Sequence, residues 1–169
     1  MQDVQTKIMV ENISSIVTPL PGRAFIGSIT DCVRAARATI DIIQFEWKWY
    51  HHDHDSTIQQ LSYEVLQAAR RKVAIRVLLN KEHPRHPLTP INKYTILMLQ
   101  EAGILAKFGP SSPITHAKLW IIDNEITVLG SHNMSRRAVT INGEASVKIL
   151  SREVAVEFTR YFEALWNRT

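Results

Sequence analysis

Apolar residues recur along this chain with two periods, one typical of helices and one of strands. Apolar residues three or four positions apart predict helices at about 27–37, 56–70, 91–102 and 152–166. Short runs rich in β-branched and aromatic residues predict strands at 39–47, 73–79, 104–108, 117–122, 126–129 and 144–150. Residues 1–22 carry few periodic signals, and the prolines and glycine within 19–22 predict a turn.

Three of the predicted helices carry signals that are specific enough to test. Ser56 and Gln59 have the spacing of a capping box at a helix start. The expected buried stripe of that helix is Ile58, Leu61, Val65 and Ala68. The next helix is marked by Ile91, Tyr94, Met98 and Ala102, and Gly103 ends it. The last helix is expected to bury Val154, Phe158, Tyr161, Phe162, Leu165 and Trp166.

The order of these elements predicts an α/β fold. Helices alternate with strands along most of the chain, which is the pattern of the α/β class. The runs 117–122 and 126–129 are separated by a short turn at Asn124 and Glu125, so we expect a hairpin and therefore a mixed sheet. A length of 169 residues fits a single domain, 1–169, with its core at about 22–167.

The charge of the chain favours an anionic partner. The formal net charge is +4 and the sequence pI is about 9.4, which suits nucleic acid or an acidic lipid surface. No apolar run approaches the roughly 20 residues of a membrane span, so we expect no stable membrane insertion. The N-terminus lacks the features of a secretory signal, and a single cysteine, Cys32, fits a reducing compartment. These features predict a cytoplasmic location.

The residues that could carry chemistry are concentrated in 115–144. His116, Lys118 and Asp123 have the spacing H-x-K-x4-D. After six more residues comes G-S-x-N, formed by Gly130, Ser131 and Asn133, and Glu144 follows. Chance produces the first three residues in about 2 of 100 chains of this length, and all six in roughly one of several hundred thousand.

Strand geometry brings two of these side chains together. Side chains alternate between the faces of a strand, so His116 and Lys118 project from one side, whereas Asp123 lies at the strand end with the other parity. An ammonium can neutralise a phosphate oxygen while an imidazole attacks phosphorus or moves a proton. Asn133 offers an amide donor, and a carboxylate such as Glu144 can fix the tautomer of a histidine.

This combination resembles the phospholipase D superfamily, whose signature runs H-x-K-x4-D-x6-G-S-x-N, and in particular its small single-motif nucleases. The resemblance implies one central mixed sheet with helices on both faces, and chemistry without a metal or other cofactor. It implies that His116 is the nucleophile and forms a covalent phosphohistidine. The other roles that it implies are phosphate binding for Lys118 and Asn133, orientation of the histidine for Ser131 and Glu144, and local support within the catalytic motif for Asp123.

The resemblance also implies a second chain. In this family the nucleophile and the acid for the leaving oxygen are histidines from two copies of the motif. This chain contains one copy, and 169 residues are too few for two such units. We therefore expect a homodimer with two-fold symmetry, in which two His116 residues face each other across one composite site.

Several residues near the motif leave alternatives open. Trp47, Trp49 and Tyr50 could stack on bases, touch a lipid interface, or pack in the core or a dimer contact. The segment 51–54, which is His-His-Asp-His, could hold a metal, although consecutive residues rarely converge on one ion. Arg136, Arg137 and the basic loop of Lys81, His83, Arg85 and His86 are either phosphate contacts or ordinary surface residues.

Three functions are therefore open from the sequence. The leading hypothesis is a metal-independent nuclease that cleaves DNA or RNA. A phospholipase or phosphatidyl transferase with the same phosphohistidine is the runner-up, and exposed tryptophans at 47 and 49 would favour it. A basic groove with Lys81 and Arg136 would favour nucleic acid. A binding module without turnover is the third hypothesis, which the intact motif argues against.

Overall fold

The computed structural model describes residues 13–53, 55–83, 85–112 and 114–169. The strands are β1 (Ile16–Pro21), β2 (Thr39–Gln44), β3 (Ala74–Leu79), β4 (Leu105–Phe108), β5 (Leu119–Ile122), β6 (Ile126–Gly130) and β7 (Ala145–Leu150). The helices are α1 (Ala24–Ala35), α2 (Thr57–Arg70), α3 (Leu88–Glu101), α4 (Arg136–Thr140) and α5 (Arg152–Trp166). In these ranges no helix has both the length and the apolar character needed to cross a membrane. The expectation that the N-terminus is no secretory signal concerns residues 1–12, which lie outside them.

All of these strands join one mixed sheet, as the sequence predicted. Their order in the sheet is β1-β7-β6-β5-β2-β3-β4. β2, β3 and β4 are parallel neighbours, whereas β1, β7, β6, β5 and β2 pair antiparallel. The predicted β5–β6 hairpin is present, and Asp123 and Asn124 adopt left-handed backbone conformations in its turn. Asp and Asn tolerate that conformation better than most residues.

Helices cover both faces of the sheet, and each face has its own core. On one face, residues of α1, α2 and α3 pack with Ile40, Val77 and Trp120 of the central strands. On the other, α5 packs Phe162 and Leu165 against alternate residues of the same strands. β2 and β5 are thus buried on both sides, which explains the continuous apolar sequence of β5, whereas β2 also buries the polar residues Asp41 and Gln44. The prediction for α5 was wrong at Tyr161, which is exposed.

The strand β1 was missed by the sequence analysis, which predicted a turn over 19–22. Of residues 19–22, only Gly22, with a positive φ of 49°, belongs to the turn. β1 lies at the edge of the sheet and pairs with β7 alone, so Pro19 and Pro21 are tolerated in it. Its outer residues Ile16 and Val17 are 66% and 54% exposed, so the strand carries no apolar alternation to detect.

The predicted capping box of α2 is absent. The Ser56 hydroxyl has no hydrogen-bond partner among the described residues, and Gln59 instead accepts the backbone N–H of Tyr50 at 2.7 Å. The capping pattern was wrong because the preceding loop, rather than the helix end, uses the glutamine. The buried stripe predicted for this helix is confirmed, since Ile58, Leu61, Val65 and Ala68 are all buried.

The helix α3 is rotated relative to the sequence prediction. Of the residues that mark it, Tyr94 is 42% exposed, and Ile91 is only half-buried. Asn92 and Thr95 are fully buried instead, because both bond to the backbone of the segment 45–47. Polar anchoring has therefore turned part of the apolar stripe outward.

The motif lies along one edge of the sheet, where several connections meet. The carboxyl ends of the parallel strands β2, β3 and β4 lie at this edge, and so does the amino end of β5, which is antiparallel to β2. The carboxyl end of β6 and the amino end of β7 complete it. Segments 45–56, 80–87, 109–118 and 131–144 are thus gathered where open α/β sheets usually bind ligands.

Gly130 lies where β6 approaches β7 most closely. A Cβ at this position would collide with the Ser146 hydroxyl and the Ala145 carbonyl oxygen. We expect Gly130→Ala to lower the free energy of unfolding by about 1–3 kcal/mol, because strand backbone cannot move aside as a flexible side chain can. Chemical denaturation measures this. In the control Gly27→Ala, the new Cβ meets nothing within 4 Å on α1, and we expect a gain of about 0.5–1 kcal/mol. Equal losses in both variants would contradict the clash.

Candidate active site

His116 and Lys118 form a pair at the amino end of β5, on the same side of the chain. The Lys118 Nζ lies 3.3 Å from Nδ1 and 3.4 Å from Nε2 of His116, and it donates a hydrogen bond to the His116 carbonyl at 2.7 Å. The imidazole is exposed at the surface and leans against the ring of Phe45, with 4.6 Å between centroids. The pair therefore presents an accessible imidazole directly beside a cation.

Lys118 is buried although it is a lysine, with only 8% of its surface exposed. Its ammonium lies 4.8 Å from the centroid of the Phe45 ring, which gives it a cation–π contact. Burial lowers the pKa of Lys118 to about 8, while the negative charge of Glu144 acts in the opposite direction. A poorly hydrated ammonium of this kind gains much from an incoming anion.

The segment 130–133 folds back onto this pair. The Gly130 N–H donates to the Lys118 carbonyl at 3.2 Å, and the Ser131 hydroxyl accepts the N–H of Ala145 at 3.0 Å. Asn133 is half-buried, and its side-chain carbonyl oxygen has no hydrogen-bond partner among the described residues. An unpaired carbonyl oxygen at this depth can accept a hydrogen bond from a ligand, and the NH2 of the same amide can donate one.

Glu144 enters the same site from the start of β7. Burial raises the pKa of this carboxyl, but hydrogen bonds from Ser131 and Asn142 and the charges of His132 and Lys118 more than offset it, so the net pKa is lowered. The Asn142 amide donates to it at 3.0 Å. Glu144 is thus an ionised carboxylate. Its contacts run to Ser131 and Asn142, whereas the hydrogen bonds of His116 within the described chain run to Lys118.

Asp123 lies at the opposite end of β5 from His116 and Lys118. Its carboxylate accepts three backbone N–H groups, those of Arg37 at 2.9 Å, Ala38 at 2.7 Å and Thr39 at 2.9 Å. Burial opposes these bonds, yet they lower the pKa of Asp123 overall. The structure therefore does not bring Asp123 to the site. Asp123 was counted in the motif with an expected role of local support, and its contacts tie the hairpin turn to the start of β2.

Comparison with known proteins identifies the family. The profile described as "Cardiolipin synthase, PLD-like domain" matches residues 29–166. The chain belongs to the phospholipase D superfamily. It is 31% identical over 133 residues to the virion nicking-joining enzyme of monkeypox virus, which covers 76% of this chain and 30% of that protein. It is 27% identical over 169 residues to the 5'-3' exonuclease PLD3 of Xenopus laevis, covering 94% of this chain and 32% of that protein. The chain thus spans about a third of either relative.

A solved structure confirms the phospholipase D-like fold. The phospholipase D family member Nuc from Salmonella typhimurium superimposes with a TM-score of 0.75. The match covers 93% of this chain and 96% of that one, at 19% sequence identity. The predicted α/β architecture, with one mixed sheet between helices, is therefore confirmed.

The aromatic residues beside this phospholipase D-like site divide into two groups. Trp47 is completely buried, and its indole N–H donates to the Ser62 hydroxyl at 3.0 Å. It is a core residue, so neither base stacking nor lipid contact is open to it. Trp49 and Tyr50 are half-buried at the surface of the same core.

The two arginines predicted to bind substrate lie at the start of α4, and both are exposed. Arg136 forms an ion pair with Asp53, and its guanidinium lies 5.1 Å from the centroid of the Tyr50 ring. Its backbone N–H donates to the Tyr50 hydroxyl at 2.8 Å. Arg136 is thus held near the motif but is partly neutralised, whereas Arg137 extends from the neighbouring position.

The histidine-rich loop and the basic loop lie on the same sheet edge. The rings of His51 and His52 meet edge to face at 4.7 Å, and His54 lies outside the described residues. No group of three metal-binding side chains forms among the residues that are described. The Lys81 ammonium lies 5.8 Å from the Phe108 ring, so the start of the basic loop faces β4.

His132 is a supporting residue that the sequence analysis missed. Its ring is fully buried and stacks on Phe25 at 4.3 Å. Nε2 lies 3.0 Å from the Gly22 carbonyl, which can only accept, so Nε2 carries the proton and Nδ1 accepts from the Ser146 hydroxyl at 2.8 Å. Burial lowers the pKa of His132. In the sequence, His132 occupies the variable position x of G-S-x-N, and that position indicates no role.

The pKa of Lys118 offers a direct test of the electrostatics in this site. Because the charge of Glu144 raises that pKa, we expect Glu144→Gln to move it below about 8. Titration of the 13Cε resonances of labelled lysine by NMR measures the change. Glu125→Gln, an exposed carboxylate in the turn at the far end of β5, is the matched control. A Lys118 resonance that titrates identically in both variants would contradict the coupling between Lys118 and Glu144.

Proposed function

We propose that this chain is a metal-independent phosphodiesterase that cleaves DNA or RNA through a covalent phosphohistidine. The observation that carries the proposal is the exposed imidazole of His116 within 3.4 Å of the buried ammonium of Lys118. A nucleophile and a desolvated cation in contact suit attack on a phosphodiester. Family membership, the net charge of +4, and relatives named as a nicking-joining enzyme and an exonuclease support a nucleic acid substrate.

The first chemical step uses His116 as the nucleophile. An imidazole nitrogen forms a bond to phosphorus, and the phosphorus–oxygen bond to the leaving nucleotide breaks. The leaving oxygen takes a proton from a second, protonated imidazole. Water then attacks the phosphohistidine as that second imidazole accepts its proton, and the phosphorus–nitrogen bond breaks. The chemistry thus ends with a phosphomonoester and the free His116.

Lys118 and Asn133 supply the stabilisation of charge. The buried ammonium neutralises a non-bridging phosphate oxygen, which is the role that a metal ion has in many other phosphodiesterases. The side-chain NH2 of Asn133 donates to another oxygen. Ser131 and Glu144 maintain a negative charge beside the site that favours the imidazolium form of a catalytic histidine. Arg136 and Arg137 hold the flanking phosphates.

The second imidazole comes from a second copy of the chain. The sequence contains one copy of the motif, so the acid is the His116 of the partner subunit in a two-fold homodimer. The exposure of His116 at the sheet edge supports this arrangement, because a partner can reach it there.

A lipid phosphodiesterase or phosphatidyl transferase is the alternative, and the description of the family profile as a cardiolipin synthase domain favours it. The same His116 and Lys118 would serve that chemistry. The exposed pair of tryptophans that would have supported lipid contact is not present, since Trp47 is completely buried. Nucleic acid is therefore the better-supported substrate.

The decisive test of the proposal is cleavage in excess EDTA. Single-stranded DNA, duplex DNA, RNA and anionic phospholipid vesicles are the substrates, and His116→Ala runs beside the unaltered chain. We expect cleavage of a nucleic acid to survive EDTA and to fall by at least about 10³-fold in the variant, because no nucleophile remains. Circular dichroism verifies that the variant is folded.

His52→Ala is the matched control, since it also removes an exposed histidine from the same sheet edge. It should retain nearly all activity. If EDTA abolishes cleavage, metal independence is rejected and a metal site in segment 51–54 is favoured. Cleavage of lipid alone would establish the alternative.

Mixing experiments test the composite site. When the unaltered chain and His116→Ala are co-expressed in equal amounts, half of the dimers are heterodimers with one histidine. If both histidines act in one site, activity should fall to about one quarter, because only the unaltered homodimers work. Independent sites would leave about one half. Light scattering on the same samples measures the oligomeric state, and a fully active monomer would disprove the dimer.

A further inference from the structure

A small depression near the motif has no role in the chemistry above. It has a volume of about 310 Å³ and is lined by Lys48, Trp49, Pro90, Ile91 and Tyr94. We propose that it binds a nucleobase of single-stranded nucleic acid while the neighbouring phosphate occupies the site of His116. This inference rests on the proposed nuclease function and names the form of substrate, a single strand with accessible bases.

The depression is connected directly to the catalytic motif. The Lys48 N–H donates to the Met134 carbonyl at 2.9 Å, and the Met134 N–H donates to the Glu46 carbonyl at 2.9 Å. These bonds form a β-bridge between Trp47 and Met134, and Met134 is the residue after Asn133. Lys48 and Trp49 therefore directly follow the residue that pairs with the segment of Asn133, the proposed phosphate ligand. A nucleotide adjacent to the scissile phosphate can reach them.

The two aromatic residues are held in a fixed relation to each other. Asn92 donates to the Phe45 carbonyl at 2.8 Å and accepts the Trp47 N–H at 3.0 Å, and Thr95 donates to the Trp47 carbonyl at 2.5 Å. All three bonds join α3, which carries Tyr94, to the segment that continues into Trp49. The depression is therefore formed before ligand arrives, which reduces the entropy lost on binding.

The same bonds explain why apolar surface is available here. Because Asn92 and Thr95 face the core, Ile91 and Tyr94 are turned towards the outside. Trp49 is half-buried with the hydrophobic core behind it. A planar base can exclude water from such a surface by stacking, and this interaction needs no particular sequence.

Charge and size favour a nucleotide over an acyl chain. Lys48 is exposed, and its ammonium lies 5.4 Å from the Tyr50 ring, which the Arg136 guanidinium also contacts at 5.1 Å. Cations thus extend from the depression towards α4, along a path that suits the phosphates of a strand. The volume is near the lower limit of about 300 Å³ for small-molecule sites, enough for one planar group.

The experiment compares binding of an oligothymidine with binding of an abasic oligonucleotide of equal length and charge. Fluorescence anisotropy measures both dissociation constants, in a His116→Ala background that prevents cleavage. We expect the oligothymidine to bind about 10-fold more tightly, and Tyr94→Ala to remove most of this preference. Tyr94→Phe should preserve it, because the ring is retained.

Tyr161→Ala is the matched control, since Tyr161 is also an exposed helical tyrosine but belongs to α5 on the other face of the sheet. It should keep the full preference for bases. If Tyr94→Ala retains the preference, or if the parent binds both oligonucleotides equally, the nucleobase site is wrong. If the chain shows no preference for bases but binds anionic vesicles, and Tyr94→Ala weakens that binding, the depression is a lipid contact instead of a nucleobase site.

A separate assay distinguishes failure of the nuclease proposal from failure of the nucleobase site. Hydrolysis of methyl p-nitrophenyl phosphate, which carries no base, reports on the catalytic pair alone in the chain with His116 intact. If the ester and single-stranded DNA are both turned over, and Tyr94→Ala does not change the KM for DNA, only the nucleobase site is rejected. A chain that neither turns over the ester nor binds the oligonucleotides would reject both proposals.

Discussion

A buried ammonium is the constraint on which the site depends. Lys118 has little contact with water, and a ring face, a backbone carbonyl, the His116 imidazole and a nearby carboxylate compensate part of its charge. Such a group is costly to bury unless an anion completes its surroundings. The motif thus holds an incomplete electrostatic site, and the exposed imidazole of His116 lies next to it. In the proposed function, a phosphate group supplies the missing charge.

The sheet supplies the rigid geometry that this arrangement needs. β5 and β2 are buried on both faces, so His116 and Lys118 project from the end of a strand that is packed on both sides. Gly130 allows β6 and β7 to approach closely, and its N–H binds the carbonyl of Lys118. Asp123 fixes the other end of the same hairpin through three backbone bonds. Gly130 and Asp123 therefore support the strands that carry the rest of the motif.

Trp47 connects the catalytic edge to the helices. Its backbone binds Asn92 and Thr95 of α3, its indole binds Ser62 of α2, and it forms the bridge to Met134. One buried tryptophan thus links two helices to the segment that carries Asn133. This explains why an aromatic residue in a loop beside the site is structural, whereas its neighbour Trp49 remains at the surface.

The fold class, most of the helices and strands, and the pairing of His116 with Lys118 were predictable from the sequence alone. Each depends on local information: the period of apolar residues, the alternation of a strand, and the fixed spacing of the motif. The sequence also placed Asp123 on the other parity from His116. The edge strand β1 escaped because residues exposed along one strand leave no apolar alternation, and its prolines resemble a turn.

Which side chains face which partner depends on contacts between residues that are far apart in the chain. The inward rotation of Asn92 and Thr95, the use of Gln59 by the loop at Tyr50, and the burial of His132 against Phe25 all depend on residues distant in the chain. Buried polar side chains bond to whichever backbone groups the packed fold places beside them. The periodicity of the sequence contains no information about these long-range contacts.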